Sequence, residues 1–242
     1  EDSGTSVPDL QVMGRNTRHV AGIVARTGID GQPSSGDPSP ATAYGTFIGL
    51  KTAVEHRLNR TDLSGLKVAI QGVGNVGMRL ARHLHAAGAE LYVSDIHQDQ
   101  LVRAAEELNA TVVPSNQILT LDVDVIAPCA MGAVLNDQTI PQLKAAVVAG
   151  AANNQLAEAK HDAMLAQRGI LYAPDFAINA GGIIDIAYER SGGSPEQVMA
   201  HLESISETLD ELFQRARETG RPTGELANIL AEERFQLRHT LA

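Results

Sequence analysis

The chain has no tryptophan, a single cysteine and only 3% aromatic residues in 242 positions. So few aromatics suggest no stacking platform for bases or sugars. The lone thiol, Cys129, has no partner for an internal disulfide, a usage that fits a reducing cytoplasm. Positive charge is also scarce. With 19 Lys and Arg against 29 Asp and Glu the formal net charge is −10, which argues against a nucleic-acid or anionic-membrane partner. No apolar run approaches the roughly 20 residues that span a bilayer. The amino terminus, Glu1-Asp2-Ser3-Gly4, has neither the basic nor the apolar region of a signal peptide, and it lacks an initiator methionine, so a processed, truncated or partial chain is expected. Hydrophobic residues at 43% and charged residues at 20% are the proportions of a globular protein.

Against these absences stands one dense motif. Gly72-Val73-Gly74-Asn75-Val76-Gly77 follows the apolar run Leu66–Ile70 and opens a stretch whose apolar residues recur at Val76, Leu80 and Leu84. Strand, glycine turn and helix in that order is the context in which G-x-G-x-x-G signals dinucleotide binding. Gly72 allows the sharp turn, Gly74 lets backbone approach the pyrophosphate, and Gly77 lets helix pack closely on strand. The positive end of the helix then faces the phosphates. A second run, Ala89–Ser94, ends in Asp95, eighteen residues after Gly77. A carboxylate there accepts hydrogen bonds from the adenosine ribose and repels a 2′-phosphate, favouring NAD over NADP.

The pattern around the motif predicts an α/β fold, a doubly wound and mostly parallel Rossmann-type sheet with helices on both faces and a helical carboxyl-terminal tail. Strands are expected near 66–70, 90–94, 124–127, 146–150 and 170–172, and helices near 75–87, 98–108, 139–145, 157–168 and 181–190. Val123–Ala127 and Ala145–Ala149 are apolar without alternation, as in a sheet buried on both faces. Upstream, Gly28–Pro40 reads as a loop. Ser39-Pro40 reads as an N-cap and first-turn proline before a helix with Ala43, Phe47, Leu50, Val54 and Leu58 on one face. Ser194-Pro195 starts a long amphipathic helix stopped near Gly220, and Thr223–Leu241 reads as another. Three units follow: 1–27 of mixed pattern, 28–192 as the NAD-binding domain, and 193–242 as helices packing between domains.

Several segments add up to a resemblance. Gly36-Asp37-Pro38-Ser39-Pro40-Ala41-Thr42-Ala43-Tyr44-Gly45, the glycine turn from Gln71, Ala127-Pro128-Cys129-Ala130, Ala151-Ala152-Asn153-Asn154-Gln155, Tyr172-Ala173-Pro174-Asp175 and Ile178-Asn179-Ala180-Gly181-Gly182 occur in the order and spacing of the amino-acid dehydrogenase superfamily. This superfamily comprises the glutamate, leucine, phenylalanine and valine dehydrogenases. The chain resembles its leucine/valine branch over residues 1 to about 189. The resemblance implies oxidation of a branched-chain L-amino acid (Leu, Val or Ile) at Cα by hydride transfer to NAD, giving the 2-oxo acid and ammonia after hydrolysis of the imine. It also implies that residues 1–27 are the end of an otherwise missing substrate domain, and a cytoplasmic enzyme whose parent is a homo-oligomer. Asp2 matches the family's proton-shuttling aspartate. The family's two catalytic lysines lie in a preceding domain and have no counterpart among Lys51, Lys67, Lys144 and Lys160, so this chain alone is expected to be inactive.

By the same resemblance Asn154 holds the substrate amino group, while Ile183 and Ile186 line the side-chain pocket. Glutamate-specific members carry a serine at the position of Ile186, and an isoleucine offers a distal carboxylate no partner. Thr42 and Asn179 match positions that bind the carboxamide, Asn153 the nicotinamide end, and Ala130 touches the cofactor through its backbone. Gly72, Gly74, Asn75, Val76, Gly77, Asp95, Ile96 and Cys129 complete the cofactor set, with Cys129 a small neighbour rather than a nucleophile because no histidine lies near it in sequence. Bland roles compete: Asn153-Asn154 as a cap on the helix after strand 146–150, Ile183 and Ile186 as core, Asp2 as a solvated terminal acid. The eight histidines show no metal-ligand spacing; His83 and His85 are expected on a helix surface, and no metal is expected. Rival functions are a non-catalytic NAD-binding module, a phenylalanine-type dehydrogenase, and a 2-hydroxy-acid oxidoreductase. The last would need a His–acid pair such as His161-Asp162, expected on a surface helix.

Overall fold

Short β-branched runs, apolar at nearly every position, set the centre of the structure, a computed structural model that describes residues 4–34 and 36–240. The elements are α1 (Val7–Gly14), the antiparallel pair β1 (Arg26–Thr27) and β2 (Pro33–Ser34), α2 (Ser39–Leu58), β3 (Lys67–Gln71), α3 (Asn75–Ala86), β4 (Glu90–Ser94), α4 (Gln98–Leu108), β5 (Thr111–Val112), β6 (Val125–Pro128), β7 (Val147–Val148), α5 (Lys160–Gln167), β8 (Leu171–Tyr172), α6 (Asp175–Ile178), α7 (Gly181–Ser191), α8 (Pro195–Thr219) and α9 (Thr223–Thr240). Strands β3 to β8 form one parallel sheet in the order β5-β4-β3-β6-β7-β8. The chain leaves β3 toward one edge and returns beside it as β6, with Val68 opposite Val125 and Ile70 opposite Ala127. That reversal is the topological switch point, where ligands of open α/β sheets bind beyond the carboxyl ends of the strands.

Both faces of the sheet are covered, which is why its strands show no alternation. Val68, Ile70, Val93, Val125 and Val147 share one core with Leu50 and Val54 of α2, Leu80 and Leu84 of α3, and Leu202 and Leu209 of α8. Ala69, Ile126, Val148 and Tyr172 turn to the other face and pack with Ile118, Leu135, Ile140 and Leu165. Helix α2 is buried on most of its circumference between sheet and α8, because its side chains are small where they must be. A Cβ on Gly45 would stand 2.7 Å from Ile205 Cδ1, and one on Gly49 would stand 2.5 Å from Ile178 Cγ1. At α8 the expected signals are in place: Ser194 and Gln197 form a capping box, and Gly220 closes the helix at φ 69°.

The sheet and four of the five helices expected between residues 66 and 192 are where the pattern puts them, within a few residues. The helix expected at 139–145 is instead a single 3-10 turn, Ile140–Gln142. Leu143 is already extended at ψ 135°, and Ala146 N–H donates to the Asp124 carbonyl at 3.0 Å, so the chain has joined the sheet before a second turn can form. The edge strand β5, the β1–β2 pair and the short α1 and α6 fall below the length at which periodicity speaks. Ser39 is not the cap of α2. The helix already includes it, its N–H donates to Asp37 Oδ1 at 2.9 Å, and Asp37 in turn pairs with Arg79 at 3.1 Å.

His83 departs from the surface role expected of it. Its ring stacks on Phe47 at 5.3 Å and meets the Tyr44 edge at 5.7 Å, half-buried between α2 and α3, whereas His85 is exposed. Burial pulls His83 below its ordinary 6.5. As pH falls through 6.5 the unfolded chain therefore takes up a proton that the native state refuses. The site's contribution to stability is complete above that pH and is lost toward the lowered native value. Urea unfolding at about pH 7.5 and about pH 5 should show a larger acid-side loss for the native chain than for His83→Gln. Equal losses in the two proteins would contradict this placement.

Candidate functional site

The glycine turn is built by contact, not only by flexibility. Gly72 adopts φ 94°, and a Cβ there would meet Ala130 Cβ at 2.8 Å and the Cys129 carbonyl at 2.9 Å. A Cβ on Gly77 would stand 2.0 Å from the Gly72 carbonyl oxygen. Gly74 differs: its φ is −70°, and open space lies where its Cβ would be. Gly74 has no side chain with which to cap α3, and the first turn of the helix carries no acidic residue, so its positive end is not countered from within the helix. From β4, Asp95 accepts Val73 N–H through Oδ2 at 2.8 Å and His97 N–H through Oδ1 at 2.9 Å, which fixes its carboxylate beside the turn. Ile96, next to it, is 87% exposed. Two buried oxygens at the ends of β3 and β4, Gln71 Oε1 and Ser94 Oγ, have no partner among the described residues. An open cradle over an uncapped helix start, flanked by a fixed carboxylate, fits a dinucleotide.

Across the end of β6 lies a second cluster. Ala152 N–H donates to the Pro128 carbonyl at 2.9 Å, and a Cβ on Gly132 would strike the Asn153 carbonyl at 2.5 Å. Asn179 Nδ2 donates to Asn153 Oδ1 at 2.6 Å and to the Ala151 carbonyl at 3.2 Å. Asn154 is left-handed at φ 52°, and its N–H donates to Asp175 Oδ2. The starts of α2 and α7 close this side: a Cβ on Gly181 would meet the Ala41 carbonyl at 2.2 Å, and one on Gly182 would meet Thr42 Oγ1 at 2.7 Å. Thr42 Oγ1 donates to Pro38 O at 3.0 Å. Ile183, one residue further, is 78% exposed and Ile186 half-buried, so Ile183 is not core.

One crevice thus runs along the carboxyl ends of the strands, from Asp95 and Ile96 past the turn (Gly72, Gly74, Asn75, Val76, Gly77), Cys129 and Ala130 to Asn153, Asn154, Asn179 and Thr42. Asp2 lies outside the described residues. The Asn153-Asn154 pair caps no helix, since α5 begins only at Lys160. A groove of about 420 Å³ among α6, α7, α8 and α9 holds Phe176, Ile184 and Phe235 but none of these residues.

Several functional-looking groups gave no signal in the sequence. Glu189 of α7, buried, accepts the N–H groups of Gly22, Ile23 and Val24 on one oxygen at 3.0–3.3 Å. Asp185, one turn earlier, pairs with Arg26 at 2.5 Å, and burial pushes its carboxyl above the ordinary range. His161 and Asp162 are not on a surface helix face: they are 1% and 6% exposed, which removes the His–acid pair from any solvent-facing site. The fold does bring Asp137, Glu158 and His161 within ligating distance of one another, a grouping invisible in the spacing. His161 Nδ1 accepts Glu158 N–H at 2.9 Å, so the ring proton of the neutral form sits on Nε2, 3.3 Å from Asp137, and Lys160 Nζ already pairs with Asp137 at 2.8 Å. This is an ion-paired cluster with its imidazole lone pair already used.

The family described as Glutamate/Leucine/Phenylalanine/Valine dehydrogenase matches residues 35–97 and 93–240. The chain is 45% identical over 236 residues to the leucine dehydrogenase of Geobacillus stearothermophilus, covering 98% of this chain and 63% of that one. It is 38% identical over 244 residues to the phenylalanine dehydrogenase of Lysinibacillus sphaericus, covering 99% and 63%. The crystal structure of the L-tryptophan dehydrogenase of Nostoc punctiforme superposes with a TM-score of 0.85 at 40% identity, over 98% of this chain and 66% of that one. The chain therefore spans a little under two thirds of the length of these relatives.

Cys129 supplies the test of the site's chemistry. Burial pushes its thiol up to about 11, away from the thiolate that reacts. As it is the only cysteine, the thiol reactivity of the whole protein reads this position. A thiol-selective disulfide reagent at neutral pH should react slowly with the folded chain and rapidly once it is denatured. Cys129→Ala should keep dinucleotide affinity within about threefold, since the position contributes bulk and not charge. Rapid labelling of the native fold would reinstate a reactive thiol.

Proposed function

The chain belongs to the glutamate/leucine/phenylalanine/valine dehydrogenase family, and from that membership we propose that it is the NAD-binding part of an enzyme that oxidatively deaminates a branched-chain L-amino acid. The single observation that carries this reading is the crevice at the β3–β6 switch point, where the open glycine cradle faces an asparagine cluster across the end of β6. Bound there, a nicotinamide dinucleotide supplies the hydride acceptor. The backbone of Gly72, Gly74, Asn75, Val76 and Gly77 holds the pyrophosphate, Asp95 and Ile96 the adenosine end, and Cys129 and Ala130 flank the passage between. Thr42, Asn153 and Asn179 orient the carboxamide, which sets the ring face offered to the substrate.

Asn154 holds the substrate amino group, and Asp2 moves the proton to and from nitrogen. Ile183 and Ile186 face the substrate side chain. They offer a branched aliphatic group apolar contact and offer a distal carboxylate no hydrogen bond, an arrangement that disfavours glutamate. Residues 1–27 end a preceding substrate domain, residues 28–192 form the cofactor domain, and residues 193–242 pack between the two. The enzyme is a cytoplasmic homo-oligomer; none of the described helices is long and apolar enough to cross a membrane.

Two experiments test the reading. With the isolated chain, Gly74→Ala should leave unfolding unchanged, since its Cβ meets nothing, yet weaken NADH binding about tenfold or more by filling the cradle. Unaltered NADH affinity would remove the cofactor from this turn. With the enzyme as isolated from its source, NADH absorbance with separate L-amino acids should show Leu, Val and Ile oxidised in preference to Phe, Trp and Glu. A preference for Phe or Trp, the substrate names carried by two of the relatives, would reassign the pocket. Tight NADH binding with no turnover on any amino acid would make the protein a non-catalytic NAD-binding module.

A further inference from the structure

Four described non-glycine residues have positive φ: Asn59, Asn109, Ala133 and Asn154. The first two are left-handed C-caps of α2 and α4, an ordinary use of asparagine. The other two touch each other in the crevice, Ala133 N–H donating to the Asn154 carbonyl at 2.6 Å. Left-handed backbone away from a helix end costs free energy and persists only where surrounding contacts over-determine it. At Asn154 the contact on the amide side is Asp175, whose Oδ2 accepts the Asn154 N–H. Asp175 is itself held. Its Oδ1 accepts the Tyr172 hydroxyl at 3.0 Å, and its own N–H donates to that hydroxyl oxygen at 3.2 Å. Tyr172 is 2% exposed and packed in the core beneath the sheet, so the relay has a fixed end.

Resting on the reading that Asn154 binds the substrate amino group, we infer that Asp175 is the positioning residue for substrate recognition. It clamps Asn154 in its left-handed conformation and is anchored by the buried Tyr172 hydroxyl. The pair Pro174-Asp175 then has a role beyond opening α6: it ties the turn before that helix to the loop that presents Asn154 across the mouth of the crevice. The Asp175 carboxylate bonds to Asn154 and Tyr172. The link from Asp175 to Asn179 runs through the backbone carbonyl, which accepts the Asn179 N–H at 3.0 Å and which a side-chain substitution leaves in place, so the carboxylate acts on the amino acid and not on the cofactor. Asparagine at 175 can still accept the Asn154 N–H through its amide oxygen while its amide nitrogen donates to the Tyr172 oxygen. Alanine can do neither.

The test is steady-state kinetics on the enzyme as isolated, with Asp175→Ala, Asp175→Asn, Tyr172→Phe, Asn154→Ala and the double variant Asp175→Ala/Asn154→Ala. Asp175→Ala is expected to raise the amino-acid KM about tenfold, the scale of one oriented hydrogen bond, with the NAD KM within about twofold. Asp175→Asn should recover most of that loss. Tyr172→Phe should fall between the two. The double variant should bind no worse than Asn154→Ala alone, because a clamp has nothing to act on once its residue is gone. If Asn154→Ala raises the amino-acid KM while Asp175→Asn and Asp175→Ala do not, the clamp is overturned and the role of Asn154 stands. If Asn154→Ala itself leaves that KM unchanged, the role of Asn154 falls and the clamp loses its object. Additive losses in the double variant, or equal losses in both KM values, would make Asp175 a general structural residue and overturn the proposal. Should Asp175→Ala fail to fold, the Asp175→Asn and Tyr172→Phe pair decides on the same criteria.

Discussion

The start of α3 lies against the end of β3 so closely that no side chain fits between them, and the crevice depends on that contact. With only hydrogen on Gly77, the helix axis aims past the Gly72 carbonyl. With φ 94° at Gly72, the chain turns sharply enough to bring Val73 N–H onto Asp95. The same turn leaves Gly72 against Cys129 and Ala130, so the last residues of β3 and β6 are fixed relative to each other at the switch point. A methyl group at either glycine would force apart the helix, the neighbouring strand ends and the carboxylate together. Gly74 stands apart from this logic. It is free of contacts, and its missing side chain serves the space above the turn and not the packing below it.

A second dependency runs through α2. Gly45 and Gly49 lie one turn apart and admit Ile205 and Leu209 of α8 and Ile178 of α6 to near-backbone distance. That depth of packing carries the start of α2 up to the start of α7, where Gly181 meets the Ala41 carbonyl and Gly182 faces Thr42. The far wall of the crevice is therefore set by helix–helix packing, while the near wall is set by the sheet.

What could be read from residues alone follows from which of these contacts is local. The glycine turn, its strand and its helix are contiguous, so they were legible together, and the acid at the end of the next strand, eighteen residues after Gly77, was legible with them; the order of the strands in the sheet was not. The cap and stop of α8 at Ser194 and Gly220 are local too, and were legible. The helix expected at 139–145 fails because Ile140 and Leu143, three apart ahead of a buried strand, look the same whether the chain makes one 3-10 turn or two α-turns. His161 and Asp162 looked solvated because a short helix with lysine and alanine beside them has no apolar stripe; only the packing of α5 under the sheet and α9 buries them. The candidate site was named largely through motif resemblance, residue by residue. The bond between Asn154 and Asp175, twenty-one positions apart, had no pattern to announce it.

The buried charges on α7 show the same limit from the energetic side. Isolated carboxylates are rare in interiors because desolvation costs more than packing returns, so a buried Asp and Glu one turn apart must each have a compensating partner. Asp185 has Arg26; Glu189 has the three consecutive amides of Gly22, Ile23 and Val24. Both partners lie on the segment from Gly22 to Arg26, which runs into β1, more than 150 positions away in sequence. Removing either acid would strand a partly buried cation or a set of partly buried amide donors, so these two residues hold the segment 22–26 to the helix that begins at Gly181. The helix that carries Ile183 and Ile186 is thus tied to the segment 22–26, and the two cannot shift independently while those bonds are made. A movement of the chain ahead of Gly22 must either pivot before that residue or carry α7, and Ile183 and Ile186 with it, along.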